Sequence, residues 1–211
     1  MTGASVPGVT IHEAMGALAA QRPVFHSEAD FQFALATALQ NALPNAAVRL
    51  EVPRRLDTGR TEYLDLQCTT ADGVTTAIEL KYFTRAWSGT VNQEEYQLRA
   101  HAARDLARLH YVHDVVRLER LADSTGARGI AVMLTNEPAL WTPPTKPVTT
   151  RDAAFRLHDG VTLTGVLDWG PGFRPNRREL RGTYGVRWSD YSAIDDGPGG
   201  ALRWTALEVT P

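Results

Sequence analysis

The sequence predicts an α/β fold, with a mixed central sheet flanked by helices and a β-rich C-terminal appendage. Two observations support this prediction. Between Ser27 and Asn136, helical and alternating apolar patterns follow one another in the order helix, three strands, helix, strand. That order is typical of a mixed sheet covered by helices. In addition, 43% of the 211 residues are hydrophobic, which is enough to fill a core.

Composition limits the classes of function. The 22 basic and 24 acidic residues give a net charge of -2, which argues against a strongly basic nucleic-acid-binding surface. Any nucleic-acid contact must therefore come from local patches. The single cysteine allows neither a disulfide framework nor a cysteine-based zinc site, and it fits a cytoplasmic location. No stretch has the pattern of a signal peptide or a membrane span, so we expect no membrane partner.

Two helices and one strand are expected in the first quarter of the chain. Thr10 and Glu13 have the spacing of a capping box, which predicts a short helix after them. Ser27 is expected to cap a second helix, which Pro44 closes. Residues 47–52 alternate and predict a strand, whose apolar side chains share one face: Val48, Leu50 and Val52.

A β-hairpin is expected over residues 62–81. Strict alternation predicts two half-buried strands. In the second strand, Glu79 and Lys81 are two residues apart and must point the same way. In the first strand, three apolar residues are expected to share one face: Leu64, Leu66 and Cys68.

The register of this hairpin depends on its turn. A two-residue turn at 72–73 would pair Asp65 with Leu80 and place Asp65 on the wrong face. A three-residue loop at 71–73 instead pairs Asp65 with Glu79, and glycine suits the third, left-handed position of such a loop. We therefore expect the three-residue loop, which adds a second carboxylate to the cluster.

The rest of the chain is expected to complete the core and then change character. A long helix is predicted from about Asn92 to Ala122, followed by a buried strand at 130–134. The Pro-rich segment that begins at residue 137 separates a core, residues 1–136, from a β-rich appendage packed on it, residues 137–211. The strand candidates in this appendage are residues 155–157, 161–167, 184–188 and 202–209.

Two carboxylates beside a lysine suggest a specific chemistry. Neighbouring carboxylates repel each other and raise a pKa, and a divalent cation removes that cost. Mg²⁺, for which Mn²⁺ can substitute, prefers oxygen ligands and phosphate. A nearby lysine can bind the phosphate, or help to orient and deprotonate an attacking water. Asp65, Glu79 and Lys81 therefore predict metal-assisted hydrolysis of phosphodiesters.

The pattern Asp65…Glu79-Leu80-Lys81, within this order of elements, resembles the PD-(D/E)XK superfamily of restriction-endonuclease-like nucleases. The resemblance covers about half of the chain. It implies a restriction-endonuclease-like α-β-β-β-α-β core. It also implies that Asp65 and Glu79 bind the metal together with the backbone carbonyl of Leu80, and that Lys81 assists the nucleophilic water.

The resemblance also implies a fourth catalytic residue. Many members carry an acidic residue on the first helix of the core, and Glu28 is at the matching position. The sequence departs from the family pattern at one point, since Leu64 and not proline precedes Asp65.

Four arginines flank the predicted site and could contact a phosphate backbone: Arg54, Arg55, Arg60 and Arg85. The alternative is that they serve only solubility. By the resemblance, the expected partner is a nucleic acid, DNA more than RNA. Since no helix-turn-helix or zinc finger is visible, a protein partner or a structural feature of the nucleic acid would set the target. A homodimer is also compatible with the sequence.

Ordinary structural roles remain open for several of these residues. Glu79 and Lys81 could form a simple ion pair, and Glu28 could be favoured only by the helix dipole. His110 and His113 have a spacing that could place two metal ligands on one helical face. Three neighbours instead favour a solvated, ion-paired face there: Asp114, Arg117 and Glu119.

The sequence thus predicts a Mg²⁺-dependent nuclease, for which roles in defence or repair are analogies with the superfamily. One rival hypothesis is a catalytically inactive nucleic-acid-binding or assembly subunit with the same fold. Another is a protein-interaction module that uses the β-rich tail as its surface.

Overall fold

The fold contains both helices and strands, and the structure, a computed structural model, describes residues 3–55, 59–101, 103–145, 149–170 and 173–211. The helices are α1 (Ile11–Gln21), α2 (Glu28–Ala42), α3 (Arg104–Thr125) and α4 (Pro138–Trp141). The strands are β1 (Ser5–Val6), β2 (Val9–Thr10), β3 (Ala47–Arg55), β4 (Thr61–Thr69), β5 (Thr75–Phe83), β6 (Trp87–Val91), β7 (Glu94–Leu98), β8 (Arg128–Thr135), β9 (Thr162–Leu167), β10 (Arg178–Gly185), β11 (Trp188–Ala193) and β12 (Ala201–Val209). No helix in these ranges is long and apolar enough to cross a membrane.

A six-stranded mixed sheet forms the centre of the fold, which confirms the predicted α/β class. Its strands lie in the order β11-β12-β8-β5-β4-β3. The central pair, β5 and β8, is parallel, and the other neighbours are antiparallel. One apolar cluster joins one face of the sheet to α1, α2 and the β6–β7 hairpin, and a second joins the other face to α3 and the β9–β10 hairpin. The sheet is therefore covered on both faces.

The starts of α1 and α2 follow the local signals in the sequence. The backbone N–H of Glu13 donates to the hydroxyl of Thr10 (3.1 Å), and the Glu13 carboxylate accepts from the N–H of Thr10 (2.8 Å). The backbone N–H of Asp30 donates to the hydroxyl of Ser27 (3.2 Å). The predicted capping box and the predicted cap of the second helix are both confirmed.

The β4–β5 hairpin has the register that a three-residue loop gives. Thr69 lies opposite Thr75, and the N–H of Thr70 donates to the carbonyl of Val74 (3.0 Å). Gly73 has a φ of 86°, a conformation that costs other residues strain. The loop is therefore 71–73, as predicted.

The strands do not keep one alternation along their whole length. Leu66 packs in the α2-side cluster, whereas Leu64 packs in the α3-side cluster. The expectation that both share a face with Cys68 is therefore wrong, and so is the corresponding expectation for β3. The physical reason is an irregularity at Glu51, whose φ of 50° interrupts the β3–β4 pairing opposite Asp65.

The prediction of one helix from about Asn92 to Ala122 is wrong in its first third. That segment contains the turn and the second strand of the β6–β7 hairpin, and α3 begins only at Arg104. Asn92 and Gln93 form the turn, with φ values of 50° and 70°. Tyr96 and Leu98 are buried and alternate with exposed neighbours, a period of two that is typical of a strand.

The expected C-terminal appendage divides into two parts. The β9–β10 hairpin packs against α3, but β11 and β12 extend the central sheet beside β8. The prediction of a β-rich appendage packed on the core is therefore wrong for β11 and β12, which belong to the central sheet. Seven of the eight residues of β8 are buried, and β12 satisfies the edge that would otherwise be unpaired.

Two of the strand candidates in this region were also misplaced. Residues 153–155 form a 3₁₀ turn, so the candidate at 155–157 is not a strand. The candidate at 184–188 covers the end of β10 and the start of β11.

Candidate functional site

The site lies where β4 and β5 separate. Their pairing ends at Leu66 and Ile78, one position before Asp65 and Glu79. Beyond this point the Asp65 side chain replaces the missing strand contact, because its Oδ2 accepts a hydrogen bond from the backbone N–H of Leu80 (2.6 Å). The irregularity of the sheet therefore directs the Asp65 carboxylate to the peptide between Glu79 and Leu80.

Two further residues of the predicted site, Lys81 and Glu28, form hydrogen bonds with backbone groups in the same part of β5. Lys81 Nζ donates to the carbonyl of Leu80 (3.0 Å), and Glu28 Oε2 accepts from the N–H of Tyr82 (2.8 Å). Glu28 reaches this position because Ser27 starts α2 directly before it. Asp65, Lys81 and Glu28 thus engage consecutive backbone groups of one strand.

Glu79 has a different environment from the other predicted ligands. Its side chain is 3% exposed, and its Oε1 lies 3.1 Å from Nη2 of Arg117 on α3. The same guanidinium places Nε 3.2 Å from Glu62 Oε2 and Nη1 3.6 Å from Asp114 Oδ1. Arg117 therefore stands among three carboxylates.

Asp114 joins this group to the predicted lysine. Its Oδ2 lies 2.8 Å from Lys81 Nζ, and the residue is 4% exposed. The interpretation of the α3 charges as a solvated face is therefore wrong for Asp114 and also for Glu119, which is 2% exposed, although the expected ion pairing is present at Asp114. A helical-wheel signal was available, because Asp114 lies three residues after the buried Tyr111 and four before the buried Leu118.

Two predicted site carboxylates, Glu79 and Glu28, resist ionisation. Burial, followed by repulsion from Asp114, outweighs the attraction of Arg117 and raises the pKa of Glu79 to about 9. Burial also raises the pKa of Glu28 in spite of the Lys81 charge and the hydrogen bond from Tyr82. The cluster thus holds more carboxylates than its cations stabilise.

The charged form of Lys81, in contrast, is stabilised by the surrounding carboxylates. Burial alone would lower the pKa of Lys81, but the charges of Asp114, Glu28 and Asp65 outweigh it and raise this pKa. Lys81 is therefore a protonated ammonium group at neutral pH, which suits it to bind a phosphate oxygen.

The oxygen donors suit a hard divalent cation by their chemistry, but they do not surround one point. Within the described ranges, no group of three or more acidic, histidine or cysteine side chains is arranged to hold a metal ion. Arg117 engages Glu79, and Lys81 engages the carbonyl of Leu80. A cation bound by Asp65, Glu79 and Leu80 would require both cationic side chains to change partners.

The four arginines expected to contact phosphate lie in different places. Arg54 and Arg55 line a cleft of about 610 Å³ that also borders Glu79. Arg60 and Arg85 are exposed and do not line this cleft. The structure therefore places two of the four next to the candidate site.

The two histidines of α3 also separate. His110 is exposed and lines a second cavity, of about 410 Å³, together with Glu28 and Lys81. His113 is half-buried, and burial lowers its pKa to about 4, with a further contribution from three arginines: Arg178, Arg117 and Arg120. The described residues place no acidic or cysteine ligand set around them.

The candidate site thus lies between two cavities, next to the break in an α/β sheet. Neither a scan against models of protein families nor a search of curated proteins found a match to this chain. The chemistry of the candidate site is therefore inferred from three kinds of group in it: surplus buried carboxylates, one lysine, and arginines at the border of a cleft.

Proposed function

We propose that this protein is a metal-dependent nuclease that hydrolyses phosphodiester bonds of nucleic acid, with DNA preferred by analogy. The convergence of Asp65, Lys81 and Glu28 on consecutive backbone groups of β5 carries this proposal. The motif predicted these residues separately, and the fold gathers them at one sheet break. This grouping supports the proposal of a restriction-endonuclease-like site, which rests on the resemblance of the sequence motif.

In the proposed site, Asp65, Glu79 and the Leu80 carbonyl hold a divalent cation. Mg²⁺ suits these oxygen ligands, and Mn²⁺ can substitute. When bound, the cation lowers the pKa of a water molecule and neutralises charge on the phosphate. Lys81 holds a phosphate oxygen or positions the attacking water, and Glu28, which accepts from the N–H of Tyr82, is a further acidic group beside the same stretch of β5.

The choice of lysine at position 81 supports a specific role. Only two of the 22 basic residues in the chain are lysines, whereas the rest are arginines. An arginine would form stronger two-point ion pairs with a carboxylate such as that of Asp114. A compact ammonium group is a point charge that can hold a phosphate oxygen or orient a water nucleophile without a two-point pairing geometry.

A cleavage assay tests the proposal. Supercoiled plasmid, linear DNA and RNA are incubated with the protein in Mg²⁺, Mn²⁺ or EDTA. We expect cation-dependent cleavage that falls about a hundredfold or more in Asp65→Asn and in Lys81→Arg. The matched control is Asp190→Asn, whose carboxylate is 82% exposed on β11 at the far edge of the sheet. Equal activity in Asp65→Asn and in the control would refute the proposed role.

A second candidate is a catalytically inactive nucleic-acid-binding or assembly subunit. The ion pair between Arg117 and Glu79 favours it, because it occupies the carboxylate that a cation would need. For this candidate we expect DNA binding that is the same in Mg²⁺ and EDTA. Lys81→Arg should leave that binding unchanged, and no cleavage should appear in any of the three conditions.

A further inference from the structure

The second cavity opens directly beside the candidate catalytic lysine. Its volume is about 410 Å³, within the range of small-molecule sites. Lys81 and Glu28 supply its charged end, and most of the remaining wall is apolar. The apolar and aromatic wall includes Phe83, Leu106, Ala107 and Met133.

One side of this cavity is a pair of flat rings. The rings of Phe83 and His101 lie 5.2 Å apart at 34°. The backbone N–H of Thr84 donates to Nδ1 of His101 (3.0 Å). Nδ1 is therefore an acceptor, so the neutral ring carries its proton on Nε2 and keeps a hydrogen-bond donor there.

These features together match one class of ligand. An apolar wall with a ring pair accepts a flat heterocycle, a ring N–H can pair with a heterocyclic nitrogen or carbonyl, and the ammonium of Lys81 can pair with a phosphate. A nucleotide combines all three groups. We propose that this cavity binds the unpaired nucleobase of a nucleotide whose phosphate lies at Lys81.

This inference rests on the proposed function and defines its substrate more closely. A base that enters the cavity has left its stack and its pairing partner. Extraction of a base from a duplex costs free energy, because its pairing and stacking must be broken. This cost is smaller in a single strand, at a mismatch or at a frayed end. The substrate class is therefore nucleic acid with at least one unpaired nucleotide next to the bond that is cleaved.

Binding without cleavage tests the inference independently of catalysis. Nucleoside 5′-monophosphates, ribose 5-phosphate and inorganic phosphate are titrated into the protein in EDTA by calorimetry. We expect the monophosphates to bind about tenfold more tightly than ribose 5-phosphate, because only they carry a base. Equal affinities for the two would overturn the inference.

A pair of matched variants locates the binding. Leu106 is 37% exposed in the cavity wall, and Leu50 is 41% exposed on β3. Leu106→Trp should fill the cavity and remove the tenfold advantage of the base, whereas Leu50→Trp should keep it. His101→Ala, which removes the ring and the donor, should weaken monophosphate binding without affecting inorganic phosphate. A base advantage that survives both Leu106→Trp and His101→Ala would also overturn the inference.

The two proposals can fail separately. If plasmid is cleaved in a cation-dependent manner but ribose 5-phosphate binds as well as the monophosphates, the base site is refuted and the nuclease stands. If the monophosphates bind with the expected variant effects but no cleavage occurs, the base site stands and the nuclease is refuted.

Discussion

Replacement of Glu79 by glutamine is expected to stabilise the protein in the absence of divalent cations. The carboxyl group of Glu79 is 3% exposed, and burial together with Asp114 raises its pKa to about 9. In the unfolded chain the same group titrates at its ordinary value of 4.5. Folding at pH 7 therefore requires Glu79 to take up a proton or to remain charged in an unfavourable place, and a neutral amide avoids that cost.

The magnitude follows from the interval between these pKa values. A raised carboxyl pKa favours the folded state at low pH, so the contribution of Glu79 to stability is fully present below pH 4.5 and is lost progressively as the pH rises towards 9. Each pH unit in this interval costs about 1.4 kcal/mol. At pH 7 the wild type has lost about 3 kcal/mol in this way, and Glu79→Gln should recover most of it.

Urea unfolding at several pH values measures this difference. The gap between Glu79→Gln and wild type should be about 3 kcal/mol at pH 7 and should close as the pH falls to 4.5. Glu62→Gln is the matched control, because Glu62 pairs with the same arginine but is 26% exposed, and its effect should stay within about 1 kcal/mol. A loss of stability in Glu79→Gln at pH 7 would refute the reasoning.

Three further predictions concern neighbouring groups. Arg117→Met leaves the surrounding carboxylates without the guanidinium that they share. Mg²⁺ at 5 mM should therefore raise the melting temperature of this variant more than that of the wild type, and equal shifts would argue against a metal site at Glu79. Asp152→Ala leaves the buried Arg108 without its partner and should lower the free energy of unfolding by about 3–5 kcal/mol, whereas adding Arg108→Met should restore part of it in the same urea titration. The imidazole of His113 should remain neutral down to about pH 4 in an NMR titration, and a midpoint near 6.5 would contradict its burial.

The stability cost of Glu79 bears on the choice between the proposed functions. A simple ion pair with Arg117 would explain Glu79 only if the pair stabilised the fold. Burial and the surrounding acids make Glu79 a net cost instead, which is common where a side chain is kept for activity. A stabilising Glu79→Gln substitution would therefore favour the nuclease over the inactive subunit.

Local signals made part of the fold predictable. The caps at Thr10 and Ser27 depend only on residues three positions away, and the register of the β4–β5 hairpin depends on its own loop. The turn at Asn92 and Gln93 could not be foreseen in the same way. Gln93 has no preference for positive φ, and its conformation depends on the packing of the hairpin against His26, which lies just before α2.

The sequence by itself determined the motif of Asp65, Glu79 and Lys81, because alternation and loop length are properties of neighbouring residues. Only the tertiary structure decided what these groups contact. Arg117 lies 38 residues after Glu79 along the chain, and its position depends on how α3 docks on the sheet. The same docking buries Asp114 beside Lys81 and shapes the cavity next to it. The apolar period of α3 could indicate that Asp114 faces the core, but which charges it meets there and how far they are desolvated depend on the packed fold.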